Sequence, residues 1–304
     1  MLTLTLPLSQ IDVWIPGIVL MGIVIGFLIG LFGVGGGFLL TPLLKVVFGI
    51  PYPVAVGSSL LQIFINSSIA TYRHWRNQKV DFKLGLILAA GAMGGTEIGV
   101  RILSYLQRSG PILINSRSFA PVDLVLNTMF LVMLSGVAIF ILFETARSTT
   151  GQEVSTALSR RLRAVRLRPT LVFPRSGIES YSIWIPIILA VFVGVLTGMM
   201  GVGGGFVNFP LLIYVIGIPT HIAVGTSVFQ VLLASGYGSA RHILLGNVEF
   251  ILVAILFAGS FLGVQLGVKV SQVLGGRSIR RYFAIVVAQG VVLVVWDLIR
   301  EIFF

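Results

Sequence analysis

The chain has no cysteine, and charged side chains make up only 10% of its 304 residues. The first absence excludes disulfides, thiolate metal sites and cysteine redox chemistry. The second excludes water as the main solvent, because a soluble globular domain carries about 25% charged residues. Acidic residues are scarcest, 10 Asp and Glu against 21 Lys and Arg, for a net charge of +11. That balance invites a nucleic-acid partner, but the distribution argues against one. Seven basic residues fall between Arg147 and Arg175, and most others lie at the ends of apolar runs. Such clustering is the pattern of cytoplasmic loops in membrane proteins. Met1 to Asp12 has no basic residue and so lacks the charged region of a cleaved signal peptide. The first apolar run is therefore read as part of the mature chain.

What fills the chain is apolar, 56% of all residues. Ile15 to Leu44 and Leu124 to Phe143 contain no charged residue, and the run from Ile183 meets none until Arg241. A helix needs about 20 apolar residues to cross a bilayer core. The fold class expected is an all-α polytopic membrane protein.

The sequence repeats itself. Trp14-Ile15-Pro16 recurs as Trp184-Ile185-Pro186, and Gly33-Val34-Gly35-Gly36-Gly37-Phe38 as Gly201-Val202-Gly203-Gly204-Gly205-Phe206. From the glycines onward the halves align without a gap at a spacing of 168, with about 31 of 71 positions identical. Gly49-Ile50-Pro51, Gln62, Arg73-His74 and Gly91, Gly95 and Gly99 all find their match. Two tandem homologous repeats are expected, each of about four helical segments. The divisions are 1–13, an N-terminal tail; 14–144, the first membrane repeat; 145–182, a basic linker; and 183–304, the second. A continuous helix over 14–48 would be about 50 Å long, longer than a ~30 Å core. It must break, tilt strongly or re-enter, and the four glycines among residues 33–37 supply the break.

A glycine string of this kind also occurs in phosphate-binding loops, but those need a preceding strand in a soluble βαβ unit, and none is present. Gly22, Gly26 and Gly30 have the spacing that lets helices pack closely. Consecutive glycines instead destroy a helix. Broken helices in a membrane are tolerated where they are buried in protein or line a polar cavity, and a helix restarting there presents free N–H groups to an anion. Gly33, Gly35, Gly36, Gly37 and Phe38, with Gly201, Gly203, Gly204, Gly205 and Phe206, are thus candidate substrate contacts. Ser58, Ser59 and Gln62, matched by Thr226, Ser227 and Gln230, follow on one helical face and are candidates for the same lining. Arg73-His74 and Arg241-His242 end the second helices, as snorkelling interfacial residues or as an anion vestibule. Glu97 lies inside the third helix with Arg101 one turn later, as a structural ion pair or a proton-coupling group. Asp81 and Glu249 are read as caps of the third helices. No metal site, cofactor or catalytic set is read, and Ser235 with His242 makes no convincing protease pair.

These motifs resemble the sulfite exporter TauE/SafE family of membrane permeases. The resemblance rests on Gly30 to Leu44 and Gly198 to Leu212, on Ala55 to Gln62 and Ala223 to Gln230, and on the two Arg-His pairs. It implies outward movement of sulfite, sulfonates or related small organic anions. The function expected is a secondary transporter exporting a small anion across the plasma membrane by alternating access, with protons as a candidate coupling ion. An anion channel or importer, and further off a membrane enzyme or scaffold, are the alternatives. Expected partners are the anionic substrate and lipid, anionic lipid at the linker, and no nucleic acid. The linker and both termini are expected in the cytoplasm.

Overall fold

A computed structural model describes residues 3–34, 36–110, 112–114, 117–147 and 167–303. Gly35 and the core of the basic linker, with Arg160, Arg161, Arg163 and Arg166, lie outside the described residues. The first half folds into α1 (Ile15–Phe32), α2 (Gly37–Phe48), α3 (Tyr52–Arg76), α4 (Phe82–Arg108) and α5 (Pro121–Arg147). The second half folds into α6 (Trp184–Met200), α7 (Gly205–Pro210, running on as a wider π-helical turn to Ile216), α8 (Thr220–Leu244), α9 (Phe250–Val273) and α10 (Gly276–Phe303). Seven of these are long and apolar enough to cross a membrane; α6, of 17 residues, is slightly shorter, and α2 and the α7 segment are shorter still. Outward faces are apolar, with Leu20, Ile139, Ile188 and Leu262 each more than half exposed. The protein is a multi-pass membrane protein.

The long first segment re-enters. A 12-residue α2 reaches only about 18 Å. Its Lys45 pairs at 2.8 Å with Asp123, at the start of α5. That contact returns the chain to the end from which α1 set out, so α1 and α2 form a hairpin folded at Gly33–Gly36. Each half therefore makes an odd number of passes, counting the hairpin's return, and the second half runs in the opposite sense.

Two glycine seams hold the halves together. On α1, a Cβ at Gly22, Gly26 or Gly30 would lie 2.3–2.4 Å from the carbonyl oxygens of Leu256, Ser260 and Val264 on α9. In return, a Cβ at Gly259, Gly263 or Gly267 would lie 2.0–2.1 Å from the carbonyl oxygens of Val19, Ile23 and Phe27. Gly95 and Gly99 of α4 and Gly194 and Gly198 of α6 form the second seam in the same manner. Within a membrane, association rests on such close van der Waals packing because lipid is as apolar as the helices. The packing expected of Gly22, Gly26 and Gly30 is thus present.

The two ends of the bundle are closed by β-hairpins. β1 (Thr3–Thr5) pairs with β2 (Asp12–Trp14), and this hairpin covers the α8–α9 turn through Leu8 N–H donating to Glu249 at 2.8 Å. A third strand, β3 (Ile112–Ile114), pairs with β4 (Arg117–Phe119) between α4 and α5. β5 (Thr170–Phe173) pairs with β6 (Ile178–Ser182) and covers the α3–α4 turn. There Ser176 donates to Asp81 at 2.6 Å, and Arg175 donates to the Val80 carbonyl at 2.9 Å. Asp81 caps α4 by accepting from Leu84 N–H, as expected, whereas the Glu249 carboxylate is taken by Leu8 instead.

The expectation that the linker and both termini share one compartment does not hold. Glu249 N–H donates to Ser58 near the start of α3, while the linker hairpin grips the turn after its end. Residues 58 and 76 are about 27 Å apart along a helix. The N-terminal hairpin and the linker therefore lie at opposite ends. Arg280 near the start of α10 donates to Thr220 at the linker end, so α10 runs from there towards the N-terminal end. The physical reason is parity: residues 14–48 counted as one pass, and the structure makes them a hairpin. The basic residues Arg277 and Arg281, beside Arg280, lie at the linker's end as well.

Candidate functional site

The two glycine breaks meet in the middle of the bundle. Gly36 and Gly204 each adopt a left-handed backbone, φ +70° and +73°, immediately before α2 and α7. A Cβ added to Gly37 would sit 2.4 Å from the Gly201 carbonyl oxygen, and one added to Gly205 would sit 2.4 Å from the Val34 carbonyl carbon. Only glycine permits backbone to approach backbone this closely. Phe38 and Phe206, the next residues, are fully buried and stacked with ring centroids 5.6 Å apart. The breaks expected from sequence are therefore brought together.

α3 and α8 line this meeting point. On α3, Val56 touches Gly201 and Ile63 touches Gly37 and Gly203; on α8, Val224 touches Gly33 and Val231 touches Gly203. Helical spacing puts Ser59 between Val56 and Ile63, and Ser227 between Val224 and Val231. Both serines are fully buried, and neither hydroxyl has a hydrogen-bond partner among the described residues. One turn on, Gln230 accepts from Asn208 of α7 at 3.2 Å while its amide nitrogen is unpartnered. Gln62 donates to Ser260 of α9 at 2.7 Å, leaving its amide oxygen unpartnered. Ser260 in turn donates to Asn66 at 2.8 Å.

Ser58 and Thr226 are placed differently. Their hydroxyls accept the first N–H groups ahead of α9 and α4, from Glu249 at 2.9 Å and Asp81 at 3.0 Å. They anchor the starts of those helices. Asn208 and Ser260 were missed in the sequence because neither has a polar match in the other half, where Leu40 and Ala92 stand. The available signal was an amide or hydroxyl in an otherwise apolar helix.

A family model described as "Sulfite exporter TauE/SafE" matches residues 18–293, covering both breaks and both polar faces. The chain belongs to the TauE/SafE family. The "Probable membrane transporter protein YunE" of Bacillus subtilis is 27% identical over 86% of this chain and 90% of its own length. A probable membrane transporter protein of Methanocaldococcus jannaschii is 28% identical over 88% and 90%. The "Sulfite exporter TauE/SafE family protein 1" of Arabidopsis thaliana is 34% identical over 35% of this chain and 23% of its own length. No solved structure matches. This TauE/SafE protein is a membrane transporter, in keeping with the expectation that it is not an enzyme.

The remaining candidates of this TauE/SafE transporter separate. His74 and His242 are fully buried and face inward, their Nε2 atoms 3.3 and 3.4 Å from the carbonyl oxygens of Gly30 and Gly198. Arg241 pairs at 2.8 Å with Glu97, which also takes Arg101 at 2.8 Å and the Tyr237 hydroxyl at 2.9 Å. Arg73 donates to Gln265 at 2.7 Å. In each pair, arginine and histidine thus meet different partners.

Proposed function

We propose that this transporter carries a small oxyanion, sulfite or a related sulfonate, outward by alternating access, with the meeting point of the two glycine breaks as its transit site. The observation that carries this reading is a set of buried polar atoms without partners among the described residues: Ser59 and Ser227 Oγ, Gln62 Oε1 and Gln230 Nε2. An unsatisfied buried polar group costs about 1–3 kcal/mol, and four of them in one region point to a ligand that completes their bonding. The N–H groups opening α2 at Gly37 and Phe38 add donors suited to an anion. The relevant faces of α3 and α8 present hydroxyls, amides and backbone rather than charged side chains. Neutral donors hold an anion without trapping it, as passage requires. A stacked Phe38–Phe206 pair across the centre means that passage needs the hairpins to move, which favours a carrier over a channel.

The end bearing the linker is proposed as cytoplasmic, because Arg73, Arg76, Lys79, Lys83, Arg168, Arg175, Lys269, Arg277 and Arg281 gather there. The termini then face outward. Proton coupling through Glu97 receives less support than an ion-pair role, since three donors already occupy its two oxygens.

The test is flux of sulfite and small sulfonates into liposomes containing the purified protein, with and without a proton gradient. Gln62→Leu with Gln230→Leu is expected to reduce flux at least about tenfold, the loss of one to two hydrogen bonds to a charged ligand. Full activity in that double variant, with saturable flux in the parent, removes the glutamines from the site. No flux of any sulfur oxyanion from folded protein removes the substrate class.

A further inference from the structure

The two ends of the bundle carry the same scaffold with different charge. At the N-terminal end, Glu97 binds both Arg241 and Arg101, and its carboxylate offsets one of their two charges. At the linker end, the residues 168 positions away are Gln265, Arg73 and Lys269, and they come together in the same way, with Arg73 donating to Gln265 at 2.7 Å. An amide stands where the other end has its carboxylate. Neither Arg73 nor Lys269 forms an ion pair among the described residues. Arg76 adds a third cation, at a position matched by Leu244.

Arg73, Arg76 and Lys269 line one cavity of about 460 Å³ between the ends of α3 and α9, together with Tyr72, Asn77 and Gln272. Among the described residues, no acidic residue lines it. Such a volume falls within the range of small-ligand sites, about 300–1,000 Å³. Three cations in one recess repel each other unless an anion joins them, and two guanidinium groups offer the planar forks that match oxyanions. The neutral amides and the Tyr72 hydroxyl add donors around them.

We infer that this cavity binds an oxyanion through Arg73, Arg76 and Lys269, and that Gln265 leaves it open where Glu97 closes its counterpart. Its position explains what can arrive. Tyr72 and Trp75 are about half exposed beside it, and the outer faces of α9 at Leu266 and Val273 are exposed and apolar. Aromatic residues of this kind mark the headgroup level of a bilayer. The shared chemistry is a phosphate- or sulfonate-type group, supplied either by an anionic lipid headgroup or by a soluble oxyanion at the membrane surface. The inference does not rest on the transport reading, because binding is measured without flux.

The experiment uses the full chain in nanodiscs of phosphatidylcholine with or without phosphatidylglycerol. Native mass spectrometry counts retained phosphatidylglycerol, and tryptophan fluorescence follows titration with sulfate in phosphatidylcholine alone. The variants are Arg76→Gln and Gln265→Glu, the second recreating a pairing that the fold already accommodates at Glu97. Each is expected to weaken binding about tenfold or more, the loss of a charge-assisted contact or its capture by the new carboxylate. Loss of phosphatidylglycerol retention in both variants identifies a lipid headgroup as the ligand. Loss of a saturable sulfate response in both identifies a soluble oxyanion. Binding that is unchanged in both variants, or a parent that responds to neither probe, overturns the inference.

Discussion

Gly94 and Gly95 are neighbours on α4 with opposite surroundings, and they allow the packing argument to be tested within one helix. A Cβ added at Gly95 would lie 2.0 Å from the Val191 carbonyl oxygen and 2.9 Å from Val195 N, both backbone atoms of α6. One added at Gly94 meets nothing within 4 Å. Contacts tighter than 3.0 Å force a shift, so Gly95→Ala must push α6 away by roughly 1 Å. A gap of that size forfeits a quarter to a half of the dispersion energy at each contact along the seam, and overpacking costs about 1–3 kcal/mol. Because the obstructing atoms are backbone, the upper part of that range applies. Alanine returns about 1 kcal/mol through its higher helix propensity. The net expectation is a loss of about 1–2 kcal/mol for Gly95→Ala and a gain of up to about 1 kcal/mol for Gly94→Ala. Reversible unfolding in mixed detergent micelles measures both. If Gly95→Ala proves as stable as Gly94→Ala, α4 and α6 do not meet backbone to backbone, and the seam is misdescribed.

Two further outcomes are expected. With no native cysteine, single cysteines at Asn77 and Leu245 can be labelled against no background; a membrane-impermeant maleimide is expected to reach each from a different side, and labelling of both from one side refutes the inverted arrangement of the halves. Ser58→Ala and Thr226→Ala each leave a buried N–H, that of Glu249 or Asp81, without its partner, so each is expected to lower unfolding stability by about 1–3 kcal/mol; unchanged stability in both refutes their role as helix anchors.

Much of the architecture was legible because its signals are local. Apolar run length marks the spans, and glycines every four residues mark a face that meets another helix closely. The glycine cluster marked a break, but residues 14–48 alone could not choose between tilt and re-entry. That choice depends on Lys45 meeting Asp123, a contact between distant segments. The compartment of the termini followed the same uncertainty, since one pass more or fewer inverts everything downstream. Arg73 and His74 were grouped because they are adjacent in sequence. Adjacent residues on a helix point about 100° apart, so histidine turns to the interior and arginine to the rim. Ser58 and Ser59 divide for the same reason, one holding a helix start and the other facing the glycine breaks.

An inverted arrangement has a consequence for direction. Equivalent contacts recur at a spacing of 168: His74 on Gly30 and His242 on Gly198, Ser58 on Glu249 and Thr226 on Asp81. With the halves running in opposite senses, each of these faces the opposite side of the membrane from its counterpart. A fully symmetric chain of this design would hold inward-open and outward-open states at equal free energy, because exchanging the halves interconverts them. Any preference must come from positions where the halves differ. Near the centre these are Asn66 against Ala234, Asn208 against Leu40 and Ser260 against Ala92; at the ends the principal one is Glu97 against Gln265. Glu97 forms ion pairs at the N-terminal end, while Gln265 takes only a hydrogen bond from Arg73 at the linker end. The described conformation carries the same asymmetry, ion-paired at one end and holding a cationic cavity at the other. The residues that set direction are therefore to be sought among the differences between the halves, and those that hold the substrate among their identities.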